Sequence, residues 1–287
     1  MLESFSRDAP ILLAGPTASG KSALAMQLAA RDGRVIVNAD ALQVYACWRI
    51  LTARPTPDEA AALPHVLYGH VARDQTYSVG HWLREVAGVL RRPVVIVGGT
   101  GLYFAALTEG LADIPAVPAP VRAEAEAVRK AGGVAGLLAG LDGATAARID
   151  TANPMRVQRA WEVLRATGRG LVDWQADTAA PVLPLGHVQA VVLQPDPGWL
   201  DARIARRFGQ MLATGALDEV RAAQPVWQPG SPWARAIGAA ELIAHLRGEA
   251  DLTTAMAAAV LSSRRYAKRQ RTWGRSRKDG WRGIALP

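Results

Sequence analysis

The stretch Pro10-Ile-Leu-Leu-Ala14-Gly15-Pro16-Thr17-Ala18-Ser19-Gly20-Lys21-Ser22 decides the fold. Residues 10–14 read as a short buried strand. A glycine-bounded turn follows, and from Lys21 onward Leu24 and Leu28 recur at helical spacing. The turn satisfies G-x-x-x-x-G-K-[ST], in the strand-then-helix context that gives this pattern its meaning. Its glycines let backbone N–H groups turn inward around phosphate oxygens. The helix N-terminus adds partial positive charge. Lys21 neutralises terminal phosphate oxygens, and the Ser22 hydroxyl suits a Mg²⁺ ion. Residues Gly15 to Ser22 are therefore read as a diphosphate cradle.

Outward from this loop, residues 34–38, 65–71, 93–97 and 188–193 are further strand patterns, each a mostly apolar run. The segment 79–91 is an amphipathic helix with Trp82, Val86, Val89 and Leu90 on one face. Apolar strands alternating with helices predict an α/β fold, a P-loop NTPase-like parallel sheet flanked by helices. The texture changes after Pro115-Ala-Val-Pro-Ala-Pro120. Residues 120–175 are rich in Ala, Arg and Glu and contain no strand-like run. We expect a helical insertion domain over 115–185, with 1–114 and 186–287 forming the α/β core and helices dominating to about residue 270.

Composition narrows the function classes. Half of the 287 residues are hydrophobic, 20% are charged, and no long charge run breaks the pattern, so a packed core is expected. The balance is basic, 33 Lys plus Arg against 25 Asp plus Glu, which favours an anionic partner. Cys47 is the single cysteine, which excludes an internal disulfide and a cysteine metal cluster. The five histidines are scattered, without metal-ligand spacing. No run approaches the roughly 18 apolar residues of a membrane span, and the first residues lack the apolar stretch of a signal peptide. A cytoplasmic, monomeric enzyme is the expectation.

A P-loop usually serves a nucleoside triphosphate, with an Asp at the end of a second strand to hold Mg²⁺. Here the strand 94–97 ends in Gly98-Gly99-Thr100 and offers no acid. That argues against simple ATP hydrolysis and leaves room for another diphosphate. An acid does follow the second strand, in Asp40-Ala41-Leu42-Gln43-Val-Tyr45. Because ligands of parallel sheets lie outside the carboxyl ends of the strands, Asp40 is expected to face the P-loop as a Mg²⁺ ligand or general base. The alternative is an Asp that only caps a turn.

Taken in series, these pieces resemble the tRNA dimethylallyltransferase (tRNA isopentenyltransferase) family of bacterial type. Residues 15–22 match its P-loop throughout. Its D-S-x-Q-x-Y resembles Asp40 to Tyr45, its G-T-A-K-P resembles Leu51 to Pro55, and its V-G-G-T-G-L-Y is matched by Val97 to Tyr103 in full. Its R-x-x-R-A-x-E-V resembles Arg156 to Val163, its A-I-G-Y-x-E resembles Ala236 to Glu241, and its T-R-x-[YF]-A-K-R-Q-x-T-W resembles Ser263 to Trp273. The departures are Ala41 for Ser, Leu51 for Gly, Arg54 for Lys, Ala152-Asn153 for Asn-Asp, Ala239-Ala240 for Tyr and a polar residue, and Ser263 for Thr. They touch details of tRNA contact and leave Lys21, Ser22, Asp40 and Thr100 in place.

The resemblance implies transfer of a dimethylallyl group from its diphosphate to the adenosine on the 3′ side of the anticodon, with Mg²⁺. It implies Asp40 as general base and Lys21 and Thr100 in the catalytic site. It carries tRNA contacts onto Asp40, Ala41, Leu42, Gln43, Thr100, Arg122, Arg156, Arg159, Lys268, Arg269, Gln270 and Trp273. Independently of it, nine residues between Arg264 and Arg282 are Lys or Arg against the single acid Asp279, with Tyr266, Trp273 and Trp281 interleaved. Basic groups neutralise phosphates and aromatics stack on unpaired bases. A helix with a solvated basic face and apolar anchors is the alternative. Two rival readings of the whole chain stay open here: a P-loop small-molecule kinase using ATP, which explains residues 10–45 equally well, and a non-enzymatic RNA-binding module.

Overall fold

The structure, a computed structural model, describes residues 2–277 and 279–287. Lys278, counted above in the basic tail, lies outside the described residues, as does Met1. In chain order, β1 (Ile11–Ala14) feeds α1 (Lys21–Asp32), and β2 (Val35–Asn38), α2 (Pro57–Ala62), β3 (His65–Val66), α3 (Val79–Val89), β4 (Val94–Gly98) and α4 (Gly101–Glu109) follow. Four helices come next: α5 (Ala119–Leu138), α6 (Gly143–Arg148), α7 (Pro154–Thr167) and α8 (Leu171–Ala176). The chain then runs through β5 (Gln189–Pro195), α9 (Pro197–Ala213), α10 (Ala216–Ala223), α11 (Ala239–Leu246), α12 (Leu252–Ser276) and β6 (Trp281–Leu286).

The chain divides into two compact units, Met1–Thr108 with Val182–Pro287, and Glu109–Pro181. The first unit takes more of the return segment than the proline punctuation implies, because the Leu183 N–H donates to the Leu107 carbonyl at 3.0 Å and Leu183 and Leu185 pack on the sheet.

In the first unit the sheet order is β3-β2-β4-β1-β5-β6, with every pair parallel. Alternate side chains divide between its faces. Leu12, Val35, Val37, Val94 and Ile96 join Trp82, Val86, Phe104 and Leu107 of α3 and α4 on one side. Ile11, Leu13, Ile36, Val95 and Val97 join Leu24 and Leu28 of α1 on the other. A third cluster packs the 44–51 loop against α9 to α12: Trp48 is fully buried, its Nε1 donates to the Trp233 carbonyl at 2.8 Å, and Leu51, Phe208 and Leu242 surround it.

Two strand expectations need correction. The strand expected over 65–71 stops at Val66, because Leu67 and Gly69 adopt left-handed φ values of 63° and 58°, which no strand accommodates. The sheet gains β6, where a basic tail was expected; it pairs along β5 from Ala190↔Trp281 to Pro195↔Leu286. In the second unit, α5 is broken at Gly133 and packs on α7 through Ala125, Leu137, Val157 and Trp161. Asn153 caps α7, with Pro154 in its first turn. Among the described residues no helix is long and apolar enough to cross a membrane.

Candidate active site

The P-loop takes its shape from its own backbone. Ala18 and Gly20 sit at φ 63° and 91°, and the Ser19 N–H donates to the Pro16 carbonyl at 3.2 Å. A left-handed alanine costs roughly 1–2 kcal/mol, so packing has to hold it. That support comes from outside the loop. Arg203 on α9 donates from Nε to the Ala18 carbonyl at 2.9 Å, and Gln270 on α12 accepts the Thr17 N–H at 2.8 Å. With Thr17 and Ser19 engaged, the N–H groups of Ala18, Gly20, Lys21 and Ser22 have no partner among the described residues and are available to an anion. The cradle expected over Gly15 to Ser22 thus offers four unengaged amides.

Lys21 Nζ donates to the Pro16 carbonyl at 3.2 Å. Burial pushes its ammonium down to about 8, opposed by the charge of Asp40, which raises it, while Arg207 lowers it. Arg207, one turn beyond Arg203, lies 3.4 Å from the Thr17 hydroxyl, and burial depresses its guanidinium too. Lys21, Arg203, Arg206, Arg207, Arg49 and Arg54 line one open crevice of about 790 Å³ beside the loop. Six cations with no carboxylate other than Glu59 on its lining make an anion site.

Asp40 reaches the same place by a route not visible in the strand pattern. β2 and β1 are not neighbours; β4 lies between them. The chain after β2 crosses the end of β4, where Ala39 accepts from the Thr100 N–H at 3.1 Å and donates to the Val97 carbonyl at 2.8 Å. The crossing requires Gly98 and Gly99: a Cβ on Gly98 would meet the Ala39 carbonyl oxygen at 2.0 Å, and one on Gly99 would meet Gln270 Nε2 at 1.9 Å. The acid-free strand end that argues against an ATPase is thus the surface over which Asp40 is delivered. Asn38 fixes the turn by accepting from the Asp40 N–H at 2.8 Å, and the Thr100 hydroxyl accepts from the Ala41 N–H at 2.9 Å. One Asp40 oxygen accepts the Leu42 N–H at 3.0 Å, so the turn-capping role is real. It occupies Oδ1 and leaves Oδ2 without a partner among the described residues.

Asp40 and Arg207 line a second, smaller cavity of about 70 Å³ with Thr17 and Ala18. Leu42, Leu51, Ile204, Phe208, Met211 and Ile237 supply apolar walls, and Thr52, Ser263 and Tyr266 complete the lining. Burial and the nearby Asp40 charge raise the Tyr266 phenol well above its usual value, so it stays protonated.

The other expected residues fall in three places. Gln43 and Gln270 point inward: Gln43 Nε2 donates to the carbonyls of Thr52 and Ala53 at 2.8 and 3.1 Å, and Gln270 is buried. Trp273 is half-buried, stacked on Phe104 at 5.9 Å and against Gly101. Lys268 and Arg269 are exposed, the latter over the Tyr266 ring at 5.6 Å. Arg122, Arg156 and Arg159 belong to the second unit and are exposed there, Arg156 lying 3.8 Å from Asp150. Sequence reading missed Arg203 and Arg207. Their only signal is a basic pair at i, i+4 on an amphipathic helix that also carries Asp201, Arg206 and Gln210.

The family model described as IPP transferase matches residues 43–277, and that described as isopentenyl transferase matches residues 10–68. The chain is 65% identical over 289 aligned positions to a tRNA dimethylallyltransferase of Cereibacter sphaeroides strain KD131, covering 100% of this chain and 92% of the relative. It is 61% identical to one from Dinoroseobacter shibae, covering 99% and 97%. Among solved structures, the full-length tRNA isopentenylpyrophosphate transferase of Bacillus halodurans superposes with a TM-score of 0.68 at 29% identity, over 97% of this chain and 90% of that one. A eukaryotic dimethylallyltransferase acting on tRNA gives 0.78 at 23% identity, over 96% and 73%, a likeness of fold. With a family model spanning most of its length and relatives this similar end to end, the chain belongs to the tRNA dimethylallyltransferase family.

Proposed function

We propose that the chain transfers a dimethylallyl group from dimethylallyl diphosphate to the exocyclic amine of the adenosine 3′ of the anticodon in tRNA, releasing diphosphate. One observation carries this reading. One small cavity is lined by Thr17 and Ala18 of the P-loop with Arg207, by the Asp40 carboxylate with its free oxygen, and by apolar side chains.

The chemistry follows from those parts. The exocyclic amine of adenine is a weak nucleophile because its lone pair is shared with the ring, so the electrophile must supply reactivity. As the allylic C–O bond breaks, its electron pair goes to the diphosphate oxygen and positive charge spreads over the allyl group. Lys21, Arg207 and the free amides at 18 and 20–22 meet the charge growing on the leaving oxygen, as preorganised electrostatics. The amine nitrogen forms the new bond to the terminal allyl carbon, and its proton passes to Asp40 Oδ2. Leu42, Leu51 and Phe208 keep water from the allyl cation. The Ser22 hydroxyl, exposed at the start of α1 with the diphosphate side open, fits Mg²⁺ bound mainly through substrate oxygens. When present, the ion neutralises diphosphate charge. Extruding the base from the anticodon loop costs a few kcal/mol. The exposed Lys268 and Arg269, with Arg122, Arg156 and Arg159 on the second unit, are suited to offset that cost through phosphate contacts.

The test is transfer of radiolabel from dimethylallyl diphosphate to unmodified tRNA with Mg²⁺, with γ-labelled ATP run in parallel. We expect label in the tRNA and intact ATP. Phosphoryl transfer from ATP without allyl transfer would replace this reading with the kinase one.

A further inference from the structure

Glu219, in the first turn of α10, has an unusual set of partners. Among the described residues its carboxylate makes no salt bridge. Instead Oε1 accepts the N–H groups of Arg49 at 2.5 Å and Ile50 at 3.0 Å, and Oε2 accepts that of Leu51 at 2.8 Å. Three successive backbone amides converging on one carboxylate form a strong anchor, since charge-assisted bonds to N–H groups are about twice as strong as neutral ones. From the opposite side, Gln43 Nε2 holds the carbonyls of Thr52 and Ala53. The turn 49–53, which includes Ala53 at a left-handed φ of 51°, is therefore gripped by its amides and by its carbonyls.

What this turn carries is part of the reacting cavity. Leu51 and Thr52 line it. Leu51 closes on Phe208 of α9 over Gly238: a Cβ there would meet the Phe208 ring at 2.7 Å and Leu51 Cδ1 at 3.1 Å. The cavity is small, about 70 Å³, and Leu51 and Phe208 are among the apolar side chains that bound it. Leu51 stands where the family pattern has Gly, so in this chain the wall is a side chain whose position depends on the turn beneath it.

We propose that Glu219 is a positioning residue that sets the length of the allyl chain accepted, by holding Leu51 against Phe208 at the apolar end of the cavity. The proposal rests on the reading that the donor's diphosphate lies on the P-loop and its chain in this cavity.

The experiment compares kcat and KM for dimethylallyl diphosphate and for geranyl diphosphate, with tRNA as acceptor, in the wild type and in Glu219→Gln, Glu219→Asp, Leu51→Ala and Lys21→Ala. A carboxamide has one acceptor oxygen and cannot hold three amides. Glu219→Gln is expected to raise the geranyl-to-dimethylallyl ratio of kcat/KM at least tenfold, through the donor KM, with the tRNA KM within twofold. Amide exchange at residues 49–51 should rise in the same variant. Leu51→Ala should raise the ratio with Glu219 intact. If Glu219→Gln does not fold, Glu219→Asp, which keeps the charge on a shorter stem, should show a smaller change in the same direction. A ratio unchanged in the folded Glu219 variants while Leu51→Ala raises it would make Glu219 a merely structural residue and overturn the proposal, as would an unchanged ratio in Leu51→Ala. Lys21→Ala separates the underlying reading: a donor KM untouched by that change would remove the diphosphate from the P-loop, and this inference with it.

Discussion

Gln270 grips the P-loop at Thr17 across 253 positions of sequence, accepting its N–H at 2.8 Å, while the other end of the same carboxamide donates to the Gly99 carbonyl at 3.0 Å. One buried side chain thus ties the phosphate loop to the strand end over which Asp40 is carried. Gln270→Ala should leave a donor and an acceptor unpaired, about 1–3 kcal/mol each. Thermal unfolding should show a melting temperature lower by several degrees, at roughly 2–4 °C per kcal/mol for a chain of this size. Donor KM should rise as the Thr17 amide is freed to reorient. A variant that melts with the wild type and keeps its donor KM would show that the tie contributes nothing.

For Asp40, the two oxygens have separate duties, and Asp40→Asn separates them. The amide oxygen can still accept the Leu42 N–H, so the turn and donor binding should persist. The acceptor for the amine's proton is lost. Single-turnover transfer should fall about 10²–10⁴-fold, the usual worth of a general base, with tRNA affinity within a few-fold of wild type. A loss under tenfold, about 1.4 kcal/mol, would take the proton-accepting role away from Asp40.

The P-loop, Asp40 and the β1, β2, β4 and β5 strands are legible in the sequence because each is written locally: an apolar run, a fixed glycine spacing, an acid after a strand. What escaped is written across the chain. β6 lies at the sheet's edge with only Trp281 buried and Arg282, Gly283 and Ala285 exposed, so it shows no solid apolar run and reads as a basic tail. Arg203 and Arg207 belong to a helix about 190 residues from the loop they brace; nothing near either segment signals the pairing. Gln270 and Gln43, onto which the resemblance carries tRNA contacts, also hold backbone groups inside the unit, a role that neither motif signals.

The state of Lys21 predicts a pH dependence. Burial holds the ligand-free ammonium at about 8. A bound diphosphate favours the charged form, so binding draws in a proton wherever the free lysine has lost it. The donor's own phosphate ionisation, with pKa near 6, is complete by then. Affinity should be level from pH 7 to about 7.5 and weaken above pH 8, approaching tenfold per pH unit. Calorimetric titration in two buffers of different ionisation enthalpy should register the proton uptake above pH 8. Lys21→Met should bind more weakly and show no such slope. A wild-type Kd flat from pH 7 to 9.5 would contradict the depressed lysine.

Arg269 and Lys268 stand free on the exposed face of α12, where the first holds its guanidinium over Tyr266. A cation that neutralises an RNA phosphate releases counterions, so each such contact adds about 0.7–0.9 to the slope of log K against log salt. Arg269→Ala should therefore weaken tRNA binding at low salt and flatten that slope by about one, while leaving kcat at saturating tRNA near wild type, because the residue lines neither the P-loop crevice nor the reacting cavity. Filter binding of unmodified tRNA from about 50 to 200 mM salt, the range over which several phosphate contacts change affinity by orders of magnitude, measures the difference. A parallel shift of the line, weaker but with the wild-type slope, would mean that Arg269 acts by holding Tyr266 in place, and would take it out of the phosphate contacts.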